Sequence, residues 1–228
     1  MNEPNMIIGT GEIGSFLINQ HPTYFKHQVN SSNINSVDKS IKYNEIWVVA
    51  PSGSKEVVAS NPKKDLFNIK AIAQLIHKLR YRKVILITPN DCYDAVKPYG
   101  RNRLYLEDLL VGYVNHYRLF IFRLAMPIEI KRGLPYDYQQ QHFEKYTEGV
   151  FQFYSLGMVF TAVHRSISHD IHFDYLSSEP VGVNEILRML HKPTFTSSVK
   201  TIYNFPKEFT EFISKEEILK LLKNYIES

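Results

Sequence analysis

The chain has 228 residues, enough for one α/β domain with a small appended lobe, and 44% of them are hydrophobic, enough for an ordinary buried core. A formal charge of +4 spread along the chain excludes a nucleic-acid-binding stripe, and a single cysteine, Cys92, excludes an internal disulfide or a cysteine metal cluster. Residues Met1 to Asn5 are polar, the apolar run after them ends at glycines, and no stretch approaches the length of a membrane span. The expected setting is therefore cytoplasmic, without a membrane or nucleic-acid partner.

Taken in order, the first element is Met6-Ile7-Ile8, an apolar strand entering Gly9-Thr10-Gly11-Glu12-Ile13-Gly14 and leaving as the helix Glu12 to Asn19, which His21-Pro22 stops. Strand, glycine turn and helix together are the context in which G-x-G-x-x-G becomes a phosphate site. Gly9 allows the tight turn, Gly11 lets a backbone approach a pyrophosphate, and Gly14 lets the helix pack on the strand. The open amides of Glu12, Ile13 and Gly14 at the helix start would face the phosphates. The alternative is a strand–turn–helix unit with no ligand.

Phe25 to Asn30 is a weak strand ending in the turn Ser31-Ser32-Asn33, and Ser36 to Ile41 suits one or two helical turns. Glu45 to Ala50 is a continuous apolar strand of the kind buried on both faces, closed by Pro51-Ser52-Gly53. Asn61-Pro62 opens a helix to Leu79, with Leu66, Ile69, Ala73, Ile76 and Leu79 at helical spacing. Lys83 to Thr88 is a second buried strand stopped by Pro89, Tyr99 to His116 a long helix, and Leu119 to Leu124 a third buried strand. This alternation predicts a doubly wound, Rossmann-like α/β fold with a parallel sheet. The basic stretches Lys78 to Lys83 and Lys97 to Arg103 are solvated faces or attract a polyanionic small substrate.

Beyond Pro127 the pattern loosens. Gly133 to Lys145 is a loop or short-helix segment, Val150 to Tyr154 a short strand, and Ser155 caps a helix through His164. Ile171 to Leu176 is a strand, Val183 to Leu190 a helix, and Ser214-x-x-Glu217 a capping box for a last amphipathic helix. The segments at about 127–150 and 178–228 are expected to form a reduced substrate lobe on a single dinucleotide-binding domain. Tyr136, Tyr138, Phe143 and Tyr146 would pack that lobe or a partner subunit, or stack on a substrate. His164, His169 and His172 have no zinc spacing, so no metal is expected.

Several of these stretches, in this order, resemble the extended short-chain dehydrogenase/reductase family of nucleotide-sugar epimerases, dehydratases and reductases. They are Gly11 to Leu17, Val48-Val49-Ala50 followed by Asn61-Pro62 and Asn68, Ile85 to Thr88, and Tyr99-Gly100-Arg101-Asn102-Arg103 with Glu107. Phe122-Arg123-Leu124 and Glu179 to Ile186 extend the resemblance over roughly residues 6–190. It implies an NAD(P)-dependent enzyme acting on a nucleotide-linked sugar, of the kind that serves cell-surface polysaccharide synthesis, and a homodimer through the helices after Asn61 and at Tyr99. In that reading Tyr99 is the acid/base. Arg103, in place of the family's lysine, lowers the tyrosine's pKa and orients the ribose, and Thr88 holds the substrate oxygen. Gly9, Gly11, Glu12, Ile13, Gly14, Ser31, Ser32, Ala50, Pro51 and Asn68 would meet the cofactor.

The sequence also departs from that family. Arginine for lysine at 103 changes charge distribution and geometry. Counting back from Tyr93 places the family's catalytic hydroxyl on Pro89, leaving Thr88 next door. The family's first glycine is Ile8, and the stretch from Tyr24 to Asn44 is short for the usual strands and helices. Ser31-Ser32-Asn33 stands where an acid would bind the adenosine ribose, so NADP is as fitting as NAD. A catalytically silent dinucleotide-binding sensor or partner protein is the competing expectation. Chemistry without net hydride transfer is the third.

Overall fold

The structure, a computed structural model, describes residues 3–51, 53–93, 96–146, 149–195 and 212–228. Ser52 of the loop after the second apolar run, and residues 196–211 of the expected lobe, lie outside them. Two compact units divide the chain: residues 1–123 with 163–174, and residues 124–162 with 175–228.

The first unit is built from β1 (Asn5–Ile8), α1 (Glu12–Gln20), β2 (Phe25–Val29), β3 (Lys42–Val48), α2 (Lys55–Ser60), α3 (Pro62–Lys78), β4 (Arg80–Pro89), α4 (Pro98–Tyr113) and most of β5 (Leu119–Leu124). The second carries β6 (Met126–Pro127), α5 (Gly133–Gln139), β7 (Val150–Phe151), β8 (Phe153–Tyr154), β10 (Val181–Gly182), α7 (Val183–Met189), β11 (Phe212–Ile213) and α8 (Lys215–Glu227). α6 (Leu156–Ser168) and β9 (Phe173–Ser178) each run from one unit into the other. The central sheet is seven-stranded and parallel, in the order β11-β9-β5-β4-β3-β1-β2. The fold class is the Rossmann-like α/β class expected from the alternation of apolar runs.

Strand alternation sorts the residues of β1 onto two faces. Met6 and Ile8 join Val84 and Leu86 of β4 in a core with Ile69, Ile72, Ala73 and Ile76 of α3 and Leu106 and Leu110 of α4. Ile7 points the other way, beneath α1, where its Cδ1 lies 3.8 Å from the position a Cβ on Gly14 would take. Both faces are covered, so these strands read as unbroken apolar runs. β2 lies on one side of β1 and β3 on the other. The chain direction across the sheet reverses at β1, and the crevice beyond the carboxyl ends of β1 and β3 is where such sheets take ligands.

Some boundaries differ from expectation, each for a local reason. The turns expected over Ser36 to Ile41 are a single 3-10 turn at Ile34–Ser36, because Asp38 accepts the Ser40 amide at 2.8 Å and sets a turn instead. α2 was not anticipated; Ser54 caps it through the Val57 amide, and Asn61 ends it while capping α3 through the Lys64 amide. β4 begins at Arg80 rather than Lys83, since its first residues pair with β3 while their side chains remain partly in water. α4 stops at Tyr113, where Asn115 caps the 3-10 turn His116–Arg118.

In the second unit the expected strand Val150 to Tyr154 is two short strands with different partners. β7 pairs antiparallel with β10 and β8 parallel with β6. Gln152, between them, is buried and donates to the Ser178 carbonyl at 2.8 Å. Glu129 accepts the Ser155 hydroxyl and, at 2.7 Å, the Leu156 amide at the start of α6. Ser214 accepts the Glu217 amide at 3.3 Å and caps α8 as expected.

Candidate nucleotide site and its neighbouring helix

The glycine turn is shaped by contacts that tolerate no side chain. Gly9 has φ +110°, and a Cβ on it would sit 2.8 Å from the Val49 carbonyl carbon and 2.9 Å from the Ala50 Cβ. Small Ala50, two residues past β3, is therefore the residue laid against the turn. A Cβ on Gly14 would lie 1.8 Å from the Gly9 carbonyl oxygen, so α1 packs on its own incoming strand at backbone distance. Gly9 donates to Val29 O and Val49 donates to Ile8 O, both at 2.8 Å, which ties the turn to β2 and β3. Gly11 is the N-cap of α1 and has no side chain to close the first turn. The start of α1, with Glu12, Ile13 and Gly14, thus opens at the carboxyl edge of the sheet, where backbone amides and the helix dipole favour an anion.

Ser31 and Ser32 follow β2 after Asn30, and Asn30 organises them. Its Oδ1 accepts the Ser32 amide at 2.9 Å and the Ser32 hydroxyl at 2.6 Å, and its Nδ2 donates to Thr10 Oγ1 at 3.4 Å. Asn33 Oδ1 accepts the Asn30 amide at 2.7 Å. The Ser31-Ser32 turn and the glycine turn are therefore joined through Asn30, which sequence reasoning passed over. Its signal was its place as the first residue past β2.

Tyr99 and Arg103 share one face of α4, with the guanidinium carbon 4.7 Å from the centre of the tyrosine ring. Arg103 is 3% exposed, and its Nη1 donates to both oxygens of Asp65 on α3, at 3.1 and 2.8 Å. Asn102 adds a bond to Asp65 Oδ2 at 2.9 Å. Asp65 is itself buried. Arg103 Nη2 is buried without a hydrogen-bond partner among the described residues. The cation beside Tyr99 is thus half of a buried ion pair. Nothing near Arg103 in the chain announces it, because an acid in the first turn or so of a helix ordinarily answers the dipole. Asn68 lies partly buried on α3, one turn beyond Asp65.

Thr88, at the carboxyl end of β4, is 3% exposed, and its Oγ1 lies 3.1 Å from Cys92 Sγ. Burial first, then the charge and hydrogen bond of Glu107, push the Cys92 thiol up to about 12. Glu107 is held in turn by Arg123 of β5, whose Nε and Nη2 reach its two oxygens at 3.1 and 2.7 Å. Hydroxyl, thiol, carboxylate and guanidinium form a continuous buried chain under the end of β4. Pro51 follows Ala50 at the end of β3, partly exposed, in the strand-end position expected of it.

The comparisons with known proteins fit this architecture. No family model matches the sequence, and no curated protein matches it significantly. Solved structures do match over nearly the whole chain. UDP-glucose 4-epimerase of Thermotoga maritima, solved with UDP-glucose, superposes with a TM-score of 0.70 at 13% identity, covering 97% of this chain and 98% of that one. The fold is theirs. dTDP-4-dehydrorhamnose reductase of Bacillus anthracis, in complex with NADP, gives 0.72 at 11% identity, covering 98% and 99%. MoeE5 in complex with UDP-glucose and NAD gives 0.70 at 14% identity, covering 98% and 97%. Identity this low carries the fold and nothing finer. Among the described residues no group of three potential ligands could hold a metal ion, and no helix is long and apolar enough to cross a membrane.

Proposed function

We propose that the chain binds NADP or NAD at the glycine turn and acts as a reductase, epimerase or dehydratase on a nucleotide-linked sugar. The observation that carries the binding half is the close-packed turn at Gly9 and Gly14, with Gly11 as the N-cap of α1, at the point where the sheet order reverses. The residues present fit a dinucleotide: backbone amides of Glu12, Ile13 and Gly14 for the pyrophosphate, and Ser31, Ser32 and Asn30 for the adenosine ribose or its phosphate. Ala50, Pro51 and Asn68 complete the cofactor-facing set. The bound nicotinamide would supply or accept hydride.

Tyr99 is the acid/base of this reading, with Arg103 as the cation on its helix face. Thr88 is the hydroxyl for the substrate oxygen. The substrate class is proposed by analogy with structures of this fold, a UDP-glucose epimerase, a dTDP-sugar reductase and a protein holding UDP-glucose with NAD.

A second reading, a catalytically silent dinucleotide-binding protein, has its own observation. Asp65 neutralises Arg103, and Thr88 is turned into the buried chain with Cys92. The two readings share the binding step and part at turnover. Protection from thermal unfolding tests the shared step, because a ligand at a hundred times its dissociation constant stabilises by about 2.7 kcal/mol. No shift with NADP(H) or NAD(H) at millimolar concentration would sink both. Where a shift is seen, Tyr99→Phe decides: an enzyme loses turnover and keeps cofactor affinity, while a silent protein has no turnover with any nucleotide sugar.

A further inference from the structure

The amino-terminal edge of the sheet, opposite the glycine turn, holds a cleft of about 580 Å³ lined by Lys42, Leu79, Arg80, Tyr81, Tyr113, Asn115 and Arg118. That volume lies in the range of small-molecule sites. The cations come from three places: Lys42 opens β3, Arg80 opens β4, and Arg118 precedes β5. The lining residues include no carboxylate. Lys42 pairs with Glu3 at 2.7 Å, and Glu3 is shared with Arg82 at 2.6 Å. The two guanidiniums bond instead to backbone: Arg80 to the Ser40 carbonyl, and Arg118 to the Tyr81 carbonyl at 3.3 Å. A guanidinium has five N–H donors, so each keeps several after one such bond.

α3 and α4 both end at this edge, and each helix end carries roughly half a negative charge. Three cations exceed that together with the charge of Glu3, which Arg82 also shares, so the cleft stays positive. Its uncharged members are equally specific. Tyr113 is 42% exposed, with its ring 4.9 Å from that of His77. Burial raises the Tyr81 phenol, an effect that Arg118 partly offsets, so Tyr81 remains a donor at neutral pH. Asn115 spends Oδ1 on the Tyr117 amide at 3.0 Å, which leaves its NH2 group for another acceptor.

We infer that this cleft is a second ligand site, separate from the glycine turn, for a nucleoside phosphate. The phosphates sit among Lys42, Arg80 and Arg118, and the base lies against Tyr113 within reach of Asn115. Guanidiniums suit phosphate because their planar donors match two oxygens at once. An exposed aromatic ring beside them favours a flat base over inorganic phosphate alone. The Lys78 to Lys83 stretch, otherwise an unremarkable basic run, supplies three of the lining residues.

Calorimetric titration of the full chain with ADP and with pyrophosphate tests the inference, with and without saturating NADP(H). ADP should bind the wild type at one site that NADP(H) does not displace. Arg80→Gln/Arg118→Gln should weaken both ligands at least tenfold with little change in melting temperature, and Tyr113→Ala should weaken ADP while sparing pyrophosphate. Should the double variant fail to fold, Tyr113→Ala and the charge-preserving Arg118→Lys carry the comparison. ADP binding weakened by the first and largely kept by the second supports the site; binding indifferent to Tyr113→Ala refutes it. Absent ADP binding, binding unchanged in the double variant, or loss of all binding on adding NADP(H) overturns the inference. A single-stranded oligonucleotide that displaces ADP at lower concentration overturns it as well, in favour of nucleic acid. Failure of NADP(H) to bind leaves this reading decidable, because the variants locate the site.

Discussion

Substituting Asp65 by Asn probes the ion pair beneath the candidate site with almost no change of shape. In the wild type Arg103 and Asp65 are 3% and 6% exposed, joined by two N–O contacts of 3.1 and 2.8 Å. Removing the carboxylate charge strands a guanidinium away from water, and breaking a buried pair in this way costs about 3–5 kcal/mol. For a chain of this size each kcal/mol lowers the unfolding midpoint by about 2–4 °C, so the expected fall is roughly 6–20 °C. Denaturant unfolding of Asp65→Asn, Arg103→Met and the double variant closes a cycle. The double variant should be more stable than Asp65→Asn alone, because it removes the stranded charge together with its partner. A cost below about 1 kcal/mol for Asp65→Asn, or strictly additive single effects, would show that water reaches the pair and that Arg103 is free to serve a ligand.

Four further outcomes follow from the same geometry. Gly14→Ala places a methyl 1.8 Å from the Gly9 carbonyl oxygen, so it should cost about 1–3 kcal/mol in denaturant unfolding and abolish protection by NADP(H); full protection would show that the cofactor does not bind at the glycine turn. Asn30→Asp puts a carboxylate at the end of β2 and should shift binding from NADP toward NAD, read as the ratio of dissociation constants, with an unchanged ratio counting against Asn30 as a cofactor contact. Cys92, buried with its thiol pushed up to about 12, should resist alkylation at pH 8 in the folded chain and react only on unfolding; fast modification of folded protein would contradict the buried chain with Thr88 and Glu107. His164 lies 3.2 Å from the Tyr24 hydroxyl, and burial lowers its pKa below 6.5 against the opposing pull of Glu45. The unfolded chain then takes up its proton first, so stability should be full above pH 6.5 and fall as the pH drops below it. His164→Gln should flatten that part of the pH–stability curve, and an unaltered slope would assign it to other groups.

The fold was legible because its strands are covered on both faces. Glu45 to Ala50, Lys83 to Thr88 and Leu119 to Leu124 stand out as apolar runs for that reason, and the glycine turn announces itself by Gly9 and Gly14, where a Cβ would strike backbone. Local hydrogen bonds decided what was missed. Asp38 makes a turn where periodicity allows a helix, and Ser54 starts a two-turn helix without an apolar stripe to advertise it. The site was legible only as a set of residue types. Tyr99 and Arg103 share a face because helical spacing requires it, but Asp65 lies 38 residues upstream of Arg103, and spacing says nothing about such a partner. Thr88 is likewise recognisable as a strand-end hydroxyl, whereas its engagement by Cys92 depends on the path of the turn after β4.

These two long-range contacts bear on the same question from different sides. A tyrosine acting as a base needs a cation near its phenol, and a free cation acts over a longer distance than an ion pair does. With Asp65 bound to Arg103, Tyr99 meets a dipole in which the carboxylate offsets much of the guanidinium's field. A lysine at 103 would be a compact charge on a flexible stem, able to reach a ribose; an arginine held through Nη1 is fixed by its partner. The pair therefore trades reach for rigidity: it pins α4 to α3 at the edge where the cofactor would bind, and it mutes the cation that would activate Tyr99. If the chain turns over with Tyr99 as the base, Asp65→Asn should strengthen that cation's influence and move the acidic limb of the pH–rate profile, where the tyrosine loses its proton, to lower pH, despite the lost stability. If the pair serves only to join the helices, Asp65→Asn changes the melting temperature and leaves cofactor affinity and any pH profile where they were.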